Sequence, residues 1–225
     1  MVGAVAALVV VLLIPLQAAV FVLSPPPSTA EGLFALFQVN PLLALVDLDL
    51  LLTLDYLIMV PFYLALTVVV SRVAPAWGSL ALIAGLFSVV LFIVSREATF
   101  SMWMLSDQYA AASSAADRAE LLATGRTLLT LYDGGTFSTS YVLGALSTLL
   151  FSVAMVRHHV FGRLPGLVGV VTGLTMVVPA NAGSVGLAIA LVSLIPTTAW
   201  LILLSRHLVA VAREKPGDHV PVLVG

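Results

Sequence analysis

Three aspartates lie inside an apolar stretch, residues 42–70, that is long enough to cross a bilayer. They are Asp47, Asp49 and Asp55. A carboxylate within a membrane span is costly and normally faces the protein interior or water, so each marks a functional site by default. A buried aspartic acid that stays protonated can also serve as a general acid. The sequence therefore points first to chemistry inside a membrane.

Depth places two further ionisable groups near Asp49. At a helical rise of about 1.5 Å per residue, Asp49 lies roughly 31 Å from the far end of its helix, and Asp55 about 22 Å. Arg96 and Asp133 lie at about 28 and 35 Å on their own helices, near the edge of a hydrocarbon slab of about 30 Å. The candidate ligand-binding residues are Asp47, Asp49, Thr53, Tyr56, Tyr63, Arg96, Glu97, Tyr132, Asp133 and Ser140, and the catalytic candidates are Asp49, Asp55 and Asp133.

Helical phase groups these residues into two stripes. At about 100° per residue, one side of the 42–70 helix carries the first stripe, and a later helix carries a second stripe of small and polar residues. We expect the two stripes to face each other, with Arg96 and Glu97 over them. The first stripe is Asp49, Thr53, Tyr56, Tyr63 and Thr67, and the second is Asp133, Ser140, Gly144 and Ser147.

This polar layer has more than one interpretation. Asp49 and Arg96 could form a purely structural ion pair, with the hydroxyls making interhelical hydrogen bonds worth about 0.6 kcal/mol each. Three acids on one helix exceed what a single arginine neutralises, which favours a ligand-binding or catalytic pocket instead. A proton or cation path is the least favoured, because the other half of the spans is nearly bare of polar groups.

Composition sets the class of protein. The chain has 225 residues, of which 61% are hydrophobic and 9% charged, and its mean hydropathy is +1.16. A soluble domain carries about 25% charged residues. The net charge of −2 gives no basic surface for nucleic acid, and the absence of cysteine excludes disulfides and thiolate ligands. Adjacent His158 and His159 point about 100° apart on a helix, so we expect no metal site and no cofactor.

The apolar runs predict an all-α, polytopic integral membrane protein. Six transmembrane helices are expected within one domain, 1–208, followed by a cytoplasmic tail, 209–225. A short helix at 30–38 suits the membrane surface, and an extracytoplasmic amphipathic segment, 107–130, follows the third span. The spans are 3–23, 42–70, 77–95, 135–156, 164–179 and 185–204.

The basic residues predict the orientation. With six spans, most of them fall on one side, which the positive-inside rule assigns to the cytoplasm. Both termini are then cytoplasmic, in the inner (plasma) membrane. The cytoplasmic set is Arg72, Arg157, Arg163, Arg206, Arg213 and Lys215, against Arg96, Arg118 and Arg126 on the other side.

The region 42–181 contains an aromatic–Asp–Gly opening at Tyr132, a basic turn and an F-x-x-LP-x-x-x-G-like segment that starts at Phe161, together with the acidic second span. In these features it resembles a bacterial family of multi-pass membrane proteins known only as a domain of unknown function. Tyr132 stands where other members carry a histidine, so a His–Asp partnership does not transfer. The resemblance implies a six-helix membrane fold and no activity. Its residues here are Tyr132, Asp133, Gly134, Phe161, Leu164, Pro165 and Gly169.

Three functions fit these observations. The first is a non-enzymatic membrane protein with an outward-opening polar pocket in the helix bundle that binds a lipid or another amphiphile. The second is an intramembrane enzyme that acts on an isoprenoid or lipid by acid catalysis from a buried aspartate. The third is a small-molecule transporter. The sequence leaves the oligomeric state open, because small-residue faces serve packing within and between chains alike.

Overall fold

The computed structural model describes residues 1–213, and these form α-helices without any strand. The all-α prediction is therefore confirmed for this part of the chain. The predicted tail begins within the last helix, and its remainder, with Lys215, lies outside the described residues. The helices are α1 Val2–Leu23, α2 Ala30–Val39, α3 Pro41–Asp47, α4 Leu50–Val70, α5 Pro75–Ser95, α6 Glu97–Ala111, α7 Ala115–Tyr132, α8 Gly135–His158, α9 Arg163–Thr175 and α10 Gly183–Arg213.

Six helices form a closed ring in the order α1, α4, α5, α8, α9, α10, in which each packs chiefly against its two neighbours. Aromatic side chains fill the centre of the ring. Phe62 and Trp200 pack at nearly a right angle with ring centres 5.6 Å apart, and Tyr63 stacks on Phe151 at 6.3 Å. These six helices have the apolar composition of a transmembrane helix bundle.

Three helix breaks lie together at one end of the ring. The predicted span 42–70 is not one helix, because α3 ends at Asp47 and Asp49 adopts a left-handed conformation with φ 64°. Aspartate is one of the few non-glycine residues that visit this region. The Leu48 carbonyl, freed by the break, accepts a hydrogen bond of 2.7 Å from Thr99 Oγ1. The other breaks are at Arg96, between α5 and α6, and at Asp133, between α7 and α8.

Beyond these breaks α2, α3, α6 and α7 build a second hydrophobic core, which we call the cap. The predicted surface helix at 30–38 is α2, but its apolar residues Leu33, Phe34 and Phe37 are buried inside the cap with Met102 of α6. The predicted amphipathic segment consists of the end of α6 and most of α7, which pack against each other as a hairpin. Because α6 and α7 continue α5 and α8, the cap is built directly onto the ring.

Five segments are long and apolar enough to cross a membrane, which supports a multi-pass membrane protein. The predicted span at 164–179 is not among them, since α9 has 13 residues and a length of about 20 Å. This is shorter than the hydrocarbon slab of about 30 Å. The five segments are Val2–Leu23, Leu50–Val70, Pro75–Ala111, Ala115–His158 and Gly183–Arg213.

Candidate functional site

The three helix breaks are joined by a polar network centred on Arg96. Its Nε lies 3.2 Å from Asp49 Oδ2, at an angle that makes an ion pair without an aligned hydrogen bond. Its Nη1 donates to the carbonyl of Tyr132 at 3.1 Å. The Arg96 side chain is only 4% exposed. One guanidinium therefore ties α4, α5 and α7 together where each begins or ends.

Tyr132 completes this network and encloses it. Its hydroxyl donates to Asp49 Oδ2 at 2.5 Å, so one carboxylate oxygen serves both partners. Arg96 Cζ lies 3.8 Å from the centre of the Tyr132 ring, 4.5 Å from that of Phe137 and 4.8 Å from that of Phe92. A desolvated cation over an aromatic face is stabilised by about 2 kcal/mol. Tyr132 thus donates a hydrogen bond to Asp49 and offers its aromatic face to Arg96.

The other predicted members of this layer do not join the network. Asp133 has an exposed side chain, and only its carbonyl is engaged, by Asn181 Nδ2 at 2.5 Å. Glu97 is exposed in the first turn of α6. Thr53 Oγ1 donates to the carbonyl of Asp49 at 2.9 Å, and Ser140, fully buried, donates to the carbonyl of Phe137 at 2.8 Å. Both hydroxyls are thus satisfied by backbone groups.

The two predicted stripes meet only in part, because the hydrogen bonds of the α8 stripe are made with α5. Ser140 and Ser147 of α8 face α5, where Ser88 Oγ donates to the Ser140 carbonyl and Ser147 Oγ donates to the Ala81 carbonyl, both at 2.7 Å. These small side chains allow α5 and α8 to approach closely, while Tyr63 of α4 reaches the same level beside Gly85.

The tyrosines of the α4 stripe do face the inside of the ring. Tyr56 stacks on Phe92 of α5 at 3.8 Å, and Tyr63 stacks on Phe151 of α8 at 6.3 Å. Since Phe92 also borders Arg96, Tyr56 lies directly below the polar network. Both rings fill space between helices and leave no room for a ligand between the stacked faces.

Two predicted acids are buried apart from Arg96. Asp47 is 8% exposed and Asp55 6% exposed. Neither oxygen of Asp47, nor Oδ1 of Asp55, has a hydrogen-bond partner among the described residues. Burial raises the pKa of the Asp47 carboxyl, which lies in the cap. A raised pKa favours the neutral acid, as expected for a carboxyl group without a counter-charge.

At the place where a pocket was predicted, Arg96 and Tyr132 both engage the same oxygen of Asp49. A ligand reaching Arg96 would have to displace Asp49 or Tyr132, and would have to enter between three aromatic rings. The arrangement can hold three helix breaks in a fixed geometry. Its chemistry is that of an internal ion pair.

A cavity of about 320 Å³ lies instead on the cap, between the start of α2 and α7. Arg126 brings a positive charge to it from α7. The position lies seven residues before Asp133, and therefore about 10 Å beyond the helix breaks along α7. The lining residues are Ser28, Thr29, Ala30, Glu31, Arg126 and Leu129.

Sequence reasoning placed Arg126 on the segment above the spans but missed the cavity. No local pattern shows that α2 and α7 are neighbours. The one available signal is Gly125, because a side chain there would come within 2.9 Å of Phe34 on α2. A glycine next to a basic residue in a helix indicates that another element approaches closely there, but it does not show which element.

A second cavity, of about 380 Å³, is apolar and lies along α1 and α4. It is open on the outer surface of the ring and lined by Met1, Val2, Val5, Ala6, Val9 and Ile58. Within residues 1–213, no group of three or more histidine, aspartate or glutamate side chains is placed to hold a metal ion.

Comparison with protein-family models, with curated proteins and with solved structures gives no match to this chain. The resemblance to the family of unknown function therefore stays a prediction. Function has to be argued from the geometry alone.

Proposed function

We propose that the chain crosses the membrane six times, with both termini on the same side. The support comes from where α1 begins and α10 ends. Gly3 lies against Ala65, in the half of α4 farther from the cap. Near the other end of the chain, His207 stacks on Phe161, just past the last turn of α8, with ring centres 5.2 Å apart. Two ends on one side require an even number of crossings.

The sixth crossing is assigned to α9 together with residues 176–182. Contacts with α8 follow its whole length: Gly166 lies against Val156, Gly173 against Leu149, and Asn181 bonds the carbonyl of Asp133. The short helix and the chain after it thus cover the same depth as α8. Most of residues 176–181 are half-buried against the bundle, with Val177 exposed, and part of their backbone is bonded within the turn, as in the Met176 N–H to the Thr172 carbonyl.

Single-cysteine labelling tests this topology directly, because the chain has no native cysteine. Ser113→Cys, at the tip of the cap, and Ala182→Cys are expected to react with an impermeant reagent from one side of the membrane. His158→Cys is expected to react only from the other side. If the protein lies in the inner (plasma) membrane, the positive-inside rule makes this side the cytoplasmic one. Labelling of Ala182→Cys together with His158→Cys would contradict six crossings.

The function proposed for the protein is binding of a lipid or another amphiphile, at the cap cavity rather than within the ring. The observation that carries it is a cavity of about 320 Å³ beyond the helix breaks that combines the cation Arg126 with the apolar Leu129. Ligand sites typically pair apolar walls with a few polar groups that fix orientation. The acid-catalysis and transport hypotheses stay predictions, because neither described cavity is lined by Asp49, Asp55 or Asp133.

An amphiphile at this place would have an apolar surface below its head. α1 ends at Leu23, which is 85% exposed, and Ser28 of the cavity follows after a short linker. The exposed end of α1 continues the lipid-facing surface up to this linker, so a tail could remain in the bilayer while the headgroup enters the cap.

Replacing Arg126 with glutamine is expected to weaken lipid retention by about tenfold or more. A charge-assisted hydrogen bond contributes about 1.5–3 kcal/mol, and about 1.4 kcal/mol corresponds to a factor of ten. The measurement is native mass spectrometry of the gently extracted protein, with the lipid-bound fraction followed as the collision energy rises. Arg118→Gln is the matched control, since Arg118 is exposed on α7 and does not line the cavity. Equal retention in the two variants would contradict the proposal.

A further inference from the structure

We propose that the cap cavity selects a zwitterionic headgroup, with its anionic group against Arg126 and its ammonium group against Glu31. The inference rests on the proposed function and names the class of amphiphile. It arises from one feature of the cavity, which presents one charge of each sign from two different helices.

The two charges do not neutralise each other. Glu31 lies in the first turn of α2 and Arg126 near the end of α7, and both side chains are exposed. Within residues 1–213 the ion pair of the structure is the one between Asp49 and Arg96, and Glu31 and Arg126 do not form another. Two opposite charges across a cavity, each without its own counter-charge, leave one place for an anion and one for a cation.

Charge complementarity then ranks the possible ligands. A purely anionic head would gain Arg126 but meet repulsion from Glu31, and a purely cationic head would have the reverse problem. A zwitterion satisfies both residues and adds no net charge to the cavity. A primary ammonium also donates hydrogen bonds to a carboxylate, which a quaternary ammonium cannot do.

Two hydroxyls add neutral hydrogen-bonding groups to the cavity. Thr29 caps α2, with its Oγ1 accepting from the Gly32 backbone N–H at 3.1 Å, which leaves the hydroxyl hydrogen free to donate. Ser28 brings a second hydroxyl to the same side of the cavity. Leu129 and Ala30 supply apolar walls between the charges. The cavity therefore has donors for an anionic oxygen besides Arg126, but only one carboxylate for an ammonium.

The test uses the full-length protein in nanodiscs that contain phosphatidylethanolamine, phosphatidylcholine and phosphatidylglycerol in equal amounts. Lipids that remain bound after extraction are quantified for the unchanged protein, Glu31→Gln, Arg126→Gln and the control Glu120→Gln. Glu120 is an exposed acid of α7 outside the cavity. We expect phosphatidylethanolamine to be enriched about tenfold over phosphatidylglycerol in the unchanged protein and in the control.

The variants distinguish failure of this inference from failure of the proposed function. Glu31→Gln is expected to keep bound lipid but lose the preference, and Arg126→Gln to lose bound lipid of every class. Bound lipid without a headgroup preference, or a preference unchanged in Glu31→Gln, would overturn the inference alone. No bound lipid on the unchanged protein would overturn both.

A second arm identifies the source of the zwitterion. Soluble glycerophosphoethanolamine, a net-neutral phosphodiester, is added to the detergent-solubilised protein, and its binding is measured by calorimetry. Binding that is lost in Glu31→Gln supports selection of the head itself, whether free or lipid-borne. If glycerophosphoethanolamine does not bind but the phospholipid is enriched, the selected zwitterion is the membrane lipid, held by its tail as well as its head.

Discussion

Arg96→Met is expected to destabilise the protein by about 3–5 kcal/mol, because it leaves Asp49 largely buried without its counter-charge. Methionine keeps much of the length and apolar character of the arginine stem, so packing beneath the aromatic rings is largely preserved. The loss therefore reports the charge. Asp49 cannot easily turn to solvent, since its left-handed backbone and the hydroxyl of Tyr132 fix the side chain in place.

The measurement is reversible unfolding in mixed micelles, with the free energy compared between variants. Arg72→Met is the control, because Arg72 is exposed at the far end of α4 and substitutions of this kind change stability by less than about 0.5 kcal/mol. Adding Asp49→Asn to Arg96→Met should recover part of the loss, since the unpaired charge is then gone. A loss in Arg96→Met no larger than in Arg72→Met would show that the pair does not hold the junction.

The sequence alone was sufficient to predict that Asp49 and Arg96 lie at about the same depth along their helices. The helical rise is the same in every α-helix, so counting residues from the helix ends compares heights on different spans. The same count could not show that α4 begins only after Asp49. Periodicity assumes a continuous helix, and although Asp47 and Asp49 flank the break at Leu48, leucines continue on both sides without the glycine or proline that would indicate a helix end.

The neighbours of each helix were harder to predict than its depth. Ser140, Gly144 and Ser147 indicated that some helix approaches α8 closely, but small residues accept any partner, and the hydrogen bonds here are made with α5 rather than with α4. The cap shows the same limit. Phe34 and Gly125 are far apart in sequence and meet only because α6 and α7 fold back as a hairpin over α2.

Gly169→Val tests the packing on which the sixth crossing depends. A side chain at Gly169 would overlap Ser152 Oγ of α8 and Trp200 Nε1 of α10 at once. Trp200 cannot swing aside, because it is buried at the centre of the ring and packs at nearly a right angle against Phe62. We expect a loss of about 3 kcal/mol, at the upper end of the usual cost of overpacking. Gly135→Val is the matched control, since that glycine has open space around it.

The way in which the clash is relieved gives a second test of how α9 packs. If Trp200 and Ser152 hold their places, α9 has to move away from both neighbours, and a short helix has few other contacts to keep it in the ring. Thr172→Cys, at a fully buried position of α9, should then be unreactive alone and react with a thiol reagent when combined with Gly169→Val. Ser152→Ala should restore part of the stability, because it removes one of the two overlapping atoms. A Gly169→Val protein as stable as Gly135→Val, with Thr172→Cys still protected, would mean that α9 is not packed between α8 and α10, and the argument for six crossings would lose its main support.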